Sequence, residues 1–249
     1  MYFHFRFLFR SLFNHYLCSM NEQLLAAFYE LIPESKREMF DRIGADRTRH
    51  LTVVLENIYQ EHNASAVLRS CDCFGIQELH VVESENQYKV QRDIARGAGK
   101  WVDMYNYNEG PTPLVDCIKG LQHRGYKIAA LTPDADAHTV FSLPIDQPLA
   151  LAFGTEWHGI SDEVRALADY TVKIPMYGFT ESFNVSVSAA LTLQALRQRL
   201  EESNLNWKLE KDDLIETKTK WAQKYMRNGD VVRRDLERRL LESATNSSK

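Results

Sequence analysis

The chain has 249 residues, of which 44% are hydrophobic and 26% are charged, and its formal net charge at pH 7 is −4. These values are ordinary for a globular protein and allow one sizeable domain with extensions. They exclude a protein that attracts nucleic acid through its overall charge, and the absence of any apolar run of roughly 20 residues argues against a membrane span.

The four cysteines are Cys18, Cys71, Cys73 and Cys117. Cys71 and Cys73 stand one residue too close for the usual metal-binding pair, so we expect no metal site. Reduced thiols packed in the interior are typical of cytoplasmic proteins. The sequence therefore predicts a cytoplasmic protein with no bound metal and no membrane partner.

Residues 1–49 divide into a leader and a helical arm. Residues 1–19 contain seven aromatic residues and two arginines but no acidic residue. A transit peptide would also be basic and free of acids, but this segment is poor in serine, so we favour an appended leader of doubtful function. From residue 20 onwards, apolar residues at helical spacing predict helices over 22–31 and 34–43. Residues 20–49 are the predicted N-terminal arm.

Residues 50–200 alternate between short apolar runs and amphipathic segments. The runs predict strands over 51–56, 78–83, 127–131, 149–153 and 170–174, and the segments predict helices over 62–73, 113–123, 161–168 and 184–200. Continuous apolar strands such as 51–56 are typical of a parallel sheet that is covered on both faces. We therefore predict an α/β domain whose mostly parallel sheet is flanked by helices.

Residues 201–249 change in composition and predict a helical C-terminal arm. Between Lys218 and Arg239 the chain has eight lysines and arginines against three acids, and the segment 36–50 has five more lysines and arginines. A charge run is usually a solvated helix face. Composition supports two interpretations about equally: solvated helix faces, or RNA-binding arms on either side of a catalytic core. The candidate RNA contacts are Arg47, Arg49, Lys220, Lys224, Arg233 and Arg234.

Two polar clusters follow predicted strands, where ligands of open α/β sheets bind. In the first, Asn63 opens a helix, and Arg69 follows six residues later on that helix, whose intervening residues are otherwise small or apolar. Asn63 taken alone is more simply a helix cap, whereas Arg69 is either paired or directed at an anion. The second cluster runs from Phe153 to Ser161 and contains Glu156, whose simpler role is that of a solvated loop carboxylate. Neither cluster carries a dinucleotide, Walker or nucleophile-elbow motif.

The third cluster follows the last predicted strand. Pro175 ends that strand because it has no N–H to donate, and Ser182 and Asn184 are residue types that open helices. The helix that begins near Val185 is rich in serine and alanine, so another segment of backbone can pass close to it. Ser182 and Asn184 are therefore either caps or site residues.

Taken together, these clusters resemble the three motifs of the TrmH family, ribose 2′-O-methyltransferases of the SPOUT superfamily. The resemblance rests on Asn63-x-x-Ala-x-x-Arg69, on Phe-Gly-x-Glu156-x-x-Gly-Ile, and on Ile-Pro-Met-x-Gly followed by Ser182-x-Asn184-Val-Ser186. It covers about residues 50–200. The run Arg47-Thr48-Arg49-His50 and the helical arms on both sides are similar to the branch that acts on guanosine 18 of tRNA.

The resemblance implies a fold and a cofactor that the sequence pattern does not. It implies a deep trefoil knot in the C-terminal part of the sheet, S-adenosylmethionine held in that knot, and a homodimer. The residues that match cofactor-lining positions are Leu131, Gly154, Ile174, Met176 and Phe183, of which Phe183 departs from the leucine of many relatives. Arg69 matches the residue that activates or orients the ribose 2′-hydroxyl, and Asn63, Glu156, Ser182 and Asn184 match residues that shape the site.

The function implied is transfer of a methyl group from S-adenosylmethionine to a tRNA ribose, at guanosine 18 of the D-loop. The alternatives are another RNA ribose, in an rRNA guanosine or at the tRNA wobble position, and an RNA-binding protein without activity. A guanidinium keeps its proton, with a pKa above roughly 12. We therefore expect Arg69 to stabilise the developing alkoxide and hold a phosphate, while the proton passes to phosphate or water.

Overall fold

The computed structural model describes residues 20–83, 95, 97–134, 136–155 and 157–246. The predicted leader over 1–19 and the predicted site residue Glu156 lie outside them. The chain divides into two compact units, one of residues up to Asp46 together with those from Leu209 onwards, and one of Arg47–Lys208. The elements in chain order are α1 (20–30), α2 (Glu34–Gly44), β1 (Leu51–Glu56), α3 (Glu61–Cys73), β2 (Glu78–Val82), β3 (Asp103–Tyr107), α4 (Pro113–His123), β4 (Lys127–Leu131), β5 (His138–Thr139), β6 (Leu149–Phe153), α5 (Asp162–Leu167), β7 (Tyr170–Lys173), α6 (Val185–Glu201), α7 (Lys211–Tyr225) and α8 (Gly229–Asn246).

The unit Arg47–Lys208 is built on a seven-stranded sheet with the order β3-β2-β1-β6-β4-β7-β5. All of its strand pairs are parallel. The central strands β1 and β6 are buried along their whole length, because helices cover a parallel sheet on both faces. The predicted α/β architecture with a mostly parallel sheet is confirmed.

Two strands of the sheet were not predicted from the sequence. β3, with the sequence Asp-Met-Tyr-Asn-Tyr, pairs with β2 at one edge of the sheet. β5 has only two residues and pairs with β7 at the other edge. An edge strand has one pairing partner and a partly solvated face, so it does not need the apolar run that marks a central strand.

Two segments of the chain, one just after β4 and one that includes β5, flank the carboxyl end of β7 on opposite sides. Thr132, just after β4, donates its backbone N–H to the carbonyl oxygen of Val172 at 2.9 Å. On the opposite side of β7, His138 is in register with Val172, and Val140 donates to Lys173 at 3.1 Å. The chain that leaves β4 on one side of β7 therefore returns on the other side.

The helix α6 packs against α3 and has the small residues that the sequence showed. Ala189 and Thr192 are fully buried. Near the end of α6, the guanidinium of Arg199 donates to the backbone carbonyls of Val140 at 2.8 Å and Leu143 at 2.6 Å. α6 therefore also holds the segment that follows β5.

The second unit joins the two predicted arms. Phe40 of α2 and Trp221 of α7 are buried, and their ring centroids lie 5.7 Å apart. Lys218 of α7 forms an ion pair with Asp41 of α2 at 2.8 Å, and Tyr29 of α1 donates a hydrogen bond to the same carboxylate. The N-terminal and C-terminal helices thus share one small core. No helix in the described part of the chain is long and apolar enough to cross a membrane.

Candidate functional site

The three predicted motif segments all follow strands of the parallel sheet, and two of them come into direct contact. Asn63 lies in the first turn of α3, after β1, and Asn184 caps α6, after β7. The amide nitrogen of Asn184 donates to the side-chain oxygen of Asn63 at 3.2 Å, although the two residues are 121 positions apart. The fold therefore joins the first and third motifs side chain to side chain.

Asn63 is not the cap of its helix. α3 begins at Glu61 with Gln60 at the cap position, and the Asn63 side chain, almost fully buried, donates to the side-chain oxygen of Gln60 at 3.2 Å. The simpler expectation for Asn63, a helix cap, is therefore wrong, because its amide connects Gln60 to Asn184.

Asn184 does act as a cap, and its side chain also contacts Asn63. Its side-chain oxygen accepts hydrogen bonds from the backbone N–H of Ser186 at 2.9 Å and from the Ser186 hydroxyl at 2.6 Å. Both ends of the amide are thus engaged, which fixes its orientation towards Asn63. Ser182 lies two residues earlier with an exposed side chain.

Arg69 lies on α3, six residues beyond Asn63, and its side chain is exposed. Among the residues that the structure describes, its guanidinium has no ion pair or hydrogen bond. A cation that has no ion pair within the described residues can bind an anion without first breaking one there. Of the two roles open to Arg69, the described contacts favour the anion.

The predicted cofactor-lining residues lie at the ends of three neighbouring strands. Leu131 is the last residue of β4, Gly154 follows β6, and Ile174 follows β7, and the order of these strands in the sheet is β6-β4-β7. Leu131, Gly154, Ile174 and Met176 are half-buried, whereas Phe183 is exposed. A row of half-buried apolar groups beside a glycine suits a flat heterocycle whose polar edge meets backbone groups.

The second motif forms a tight turn. Thr155 and Gly159 exchange two backbone hydrogen bonds of 3.0 and 2.9 Å, and the Thr155 hydroxyl accepts from the backbone N–H of His158 at 3.0 Å. A Cβ on Gly154 would lie 2.0 Å from the carbonyl oxygen of Gly159, so this position requires glycine. His158 is exposed at the turn, in agreement with a surface histidine.

The sequence did not single out Glu56 or Gln60 as site residues. The carboxylate of Glu56, buried at the end of β1, accepts the backbone N–H of Ser161 at 3.1 Å and ties the second motif to the first strand. Gln60 orients Asn63. The only indication in the sequence was their position at or just after the end of a buried strand, and many loop residues share such a position.

The predicted RNA contacts fall into two groups. Arg47 is buried, donates to the carbonyl of Ile76 and pairs with Asp72, and Arg49 pairs with the buried Glu78 at 2.8 Å. Both arginines are engaged inside the protein, so we remove them from the candidate RNA surface.

The other four predicted contacts lie on α7 and α8, at or near the surface. Lys220 pairs with Glu216 at 2.8 Å and Arg233 pairs with Glu237 at 2.7 Å, while Lys224 and Arg234 are exposed. The ion pairs are exposed and therefore weak. In the described part of the chain, no group of three or more His, Cys, Asp or Glu residues could hold a metal ion.

A stripe of three exposed apolar side chains begins one residue before the cap of α6 and continues through its first two turns. Phe183, Val187 and Leu191 are each about 40% exposed (42%, 43% and 41%). The spacing of four residues places Val187 and Leu191 on one face of the helix, and Phe183 lies just before it. A continuous apolar stripe on a surface usually marks a protein contact.

The chain is similar to a set of known proteins that agree with one another. The family model described as the SpoU rRNA Methylase family matches residues 50–194. A relative from Borreliella burgdorferi named tRNA (guanosine(18)-2'-O)-methyltransferase is 33% identical over 80% of this chain and 89% of its own length. The crystal structure of the A. aeolicus TrmH/SpoU tRNA modifying enzyme superposes with a TM-score of 0.69 at 27% identity, over 78% of this chain and 98% of that one. The SpoU methyltransferase AviRb of Streptomyces viridochromogenes, solved with the cofactor AdoMet, has a TM-score of 0.53 at 27% identity, over 65% of this chain and 64% of that one.

Proposed function

The chain belongs to the SpoU rRNA Methylase family, and from this we propose that it transfers a methyl group from S-adenosylmethionine to the 2′-hydroxyl of guanosine 18 in tRNA. The relative from Borreliella burgdorferi carries that activity in its name, and this chain covers most of its length. The observation that carries the proposal is the contact between Asn63 and Asn184. It brings two separate motifs together, and the first of them also carries Arg69, whose guanidinium has no ion pair or hydrogen bond among the described residues.

S-adenosylmethionine, when bound, supplies an electrophilic methyl group on a sulfonium. The half-buried Leu131, Ile174 and Met176, with the backbone beside Gly154, are the groups that would hold it. AviRb, a structural relative with the same fold, binds AdoMet. The row of apolar groups at neighbouring strand ends fits such a ligand.

The chain's own polar groups act on the ribose and its phosphate. The guanidinium of Arg69 binds the phosphate next to the target ribose and stabilises the negative charge that develops on the 2′-oxygen. The proton leaves to phosphate or water, because a guanidinium does not accept it at neutral pH. The hydrogen-bonded pair Asn63–Asn184 orients the side chains at the base of the site. Ser182, two residues before Asn184, offers an exposed hydroxyl, and Glu156 is assigned a role in shaping the site from its motif alone.

The same proposal includes a trefoil knot. Support comes from Thr132 and Val140, which contact β7 from opposite sides at its carboxyl end. The chain that continues from β7 into α6 must then pass the link between β4 and β5. The small residues of α6 and the anchor from Arg199 to Val140 and Leu143 are consistent with a helix drawn through that link.

We further propose that the enzyme is a cytoplasmic homodimer. The stripe of Phe183, Val187 and Leu191 is the surface that a second copy would cover, next to Ser182 and Asn184. Lys220, Lys224, Arg233 and Arg234 on α7 and α8 are the proposed contacts to the tRNA backbone.

Methyl transfer to position-specific transcripts tests the proposal. The purified full chain is given labelled S-adenosylmethionine and an unmodified tRNA transcript, and then the same transcript with 2′-deoxyguanosine at position 18. We expect label in the first RNA and none in the second, because the second has no acceptor hydroxyl at that position. A transcript with a 2′-deoxy wobble nucleotide is the matched control and should be labelled fully.

Each alternative function has its own outcome in this experiment. Label that persists with 2′-deoxyguanosine 18 and disappears with the 2′-deoxy wobble nucleotide would assign the wobble ribose. Label in an rRNA transcript assayed in parallel, with none in any tRNA transcript, would assign an rRNA site. Binding of both S-adenosylmethionine and RNA without any transfer would identify a binding protein.

A further inference from the structure

Two exposed aromatic residues occupy equivalent places after the two central strands. β1 and β6 are hydrogen-bonded neighbours, and Leu55 is in register with Phe153. Tyr59 and Trp157 each stand four residues beyond that pair, and their side chains are 67% and 85% exposed. The two loops are joined by the hydrogen bond from Ser161 to Glu56. Both aromatics therefore stand at the sheet edge that carries Asn63 and Arg69.

Hydrogen bonds and packing hold described residues close to each ring in the sequence. Trp157 lies within the turn closed by the two Thr155–Gly159 hydrogen bonds. Tyr59 lies one residue before Gln60, which is bonded to Asn63, and one residue after the buried Ile58. Exposing a large ring on a fixed loop has no packing benefit for the folded chain. It is typical of a residue that contacts a ligand at low cost in conformational entropy.

The groups around the rings indicate which ligand they contact. Their neighbours in the sequence are mostly polar: Asn57 and Gln60 lie within two residues of Tyr59, beside the buried Ile58, and Thr155 and His158 lie within two residues of Trp157. This differs from the continuous apolar stripe of Phe183, Val187 and Leu191, which fits a protein partner. Single aromatic faces in the loops that follow β1 and β6, with the exposed guanidinium of Arg69 on the helix that follows β1, fit unpaired nucleobases joined by phosphates.

We propose that Tyr59 and Trp157 form a stacking platform for unpaired nucleobases of the RNA substrate, next to the target ribose. This inference rests on the proposed function and adds that the enzyme selects a looped, single-stranded nucleotide over a paired one. The platform binds the bases by stacking and leaves the phosphate to Arg69. Its residues position the substrate and take no part in methyl transfer itself.

Binding measurements on the full chain test the platform. The probes are an RNA hairpin with an unpaired purine-containing loop and a fully paired duplex of equal length and charge. We expect Tyr59→Ala and Trp157→Ala each to weaken hairpin binding by about 5- to 150-fold, the range that corresponds to loss of one stacked base. Duplex binding and the affinity for S-adenosylmethionine should stay as in the wild type.

Phe141 supplies the matched control. It is 67% exposed, as Tyr59 is, but it follows the edge strand β5, three strands away from β6. We expect Phe141→Ala to bind both RNAs as the wild type does. Equal losses in all three variants, or none in Tyr59→Ala and Trp157→Ala, would overturn the platform.

Tryptophan fluorescence gives an independent readout. Trp207 and Trp221 are buried and Trp101 is half-buried, so Trp157 dominates the signal that acrylamide quenches. The hairpin should protect this signal and the duplex should not, and Trp157→Phe should lose the protected component. Protection of Trp157 in the free protein would place the ring in a subunit contact and would also overturn the proposal. Failure of the proposed function is seen separately, as a wild type that methylates no tRNA.

Discussion

At the scale of single residues, Arg69 combines an exposed guanidinium with the absence of any ion pair or hydrogen bond to the described part of the chain. Arg47 and Arg49, by contrast, pair with carboxylates. An arginine whose partner is not a protein group is available to the substrate. Its planar fork can grip a phosphate with two hydrogen bonds, which a lysine cannot do.

Substitution of Arg69 should therefore affect turnover far more than folding. We expect Arg69→Ala to lower kcat by about 10²- to 10³-fold, the usual cost of removing one donor that stabilises a developing oxyanion. Arg69→Lys should recover only part of the loss. Single-turnover methyl transfer measures both, and circular dichroism checks the fold. An Arg69→Lys enzyme with near-full turnover would contradict a role for the planar fork.

Glu78, the first residue of β2, carries a buried negative charge that neighbouring groups stabilise. Burial alone would raise the pKa of this carboxyl group. Hydrogen bonds from His80 and Arg124 and the positive charges of Arg124 and Arg49 outweigh burial, and they lower the pKa from 4.5 to about 2. The carboxylate accepts a hydrogen bond from Arg124 at 2.6 Å and forms an ion pair with Arg49 at 2.8 Å. It thereby ties the segments before β1 and after α4 to β2.

This network should make stability depend on pH in the acidic range. Since the pKa is lower in the folded state, the contribution of Glu78 is fully present above about pH 4.5 and is lost as pH falls towards 2. The shift corresponds to about 3 kcal/mol in the free energy of unfolding. Urea unfolding of the wild type and of Glu78→Gln at several pH values isolates the contribution of Glu78 to the free energy of unfolding. The difference between the two proteins should grow from pH 2 to pH 4.5 and then level off, and a difference that does not change with pH would contradict the assignment.

At the scale of elements, the turn after β6 depends on a glycine that has no room for a side chain. We expect Gly154→Ala to weaken binding of S-adenosylmethionine and to destabilise the fold by about 1–3 kcal/mol, as overpacking does, because its Cβ would meet the Gly159 carbonyl oxygen at 2.0 Å. Calorimetric titration and thermal unfolding measure the two effects.

Gly178, in the loop after β7, is the control for that substitution. A Cβ on Gly178 would meet nothing within 4 Å. Gly178→Ala should therefore bind the cofactor and unfold as the wild type does. If both variants behave alike, then the close approach of Gly159 does not govern the turn.

The elements also show what the sequence could predict. The continuous apolar runs of β1 and β6 predicted buried central strands, and the helical periods predicted α3 and α6. β5 could not be predicted, because two residues become a strand only where β7 offers an edge. The burial of Arg47 depends on its contacts with Asp72 and Ile76. The contact between Asn63 and Asn184 joins two residues that are 121 positions apart in the sequence. Such outcomes depend on tertiary packing, which local patterns do not contain.

At the scale of the whole molecule, the proposed dimer depends on the stripe of Phe183, Val187 and Leu191. Val187 is 43% exposed in the middle of this stripe, between Phe183 and Leu191. An aspartate there would place a charge in the proposed subunit contact, where it would lose water without gaining a partner. We expect Val187→Asp to shift the protein from dimer to monomer, with the mass measured by light scattering during size-exclusion chromatography.

The matched control for the dimer is Val231→Asp. Val231 lies on α8, in the other compact unit of the chain, and is 57% exposed, so the same change of residue is made at an exposed valine that is not part of the stripe. This variant should remain dimeric. Because the stripe adjoins Ser182 and Asn184, the Val187→Asp monomer should also lose methyl transfer while its thermal unfolding temperature changes little. A dimeric Val187→Asp protein would place the subunit contact elsewhere, and a monomeric protein with full activity would show that each site is complete within one chain.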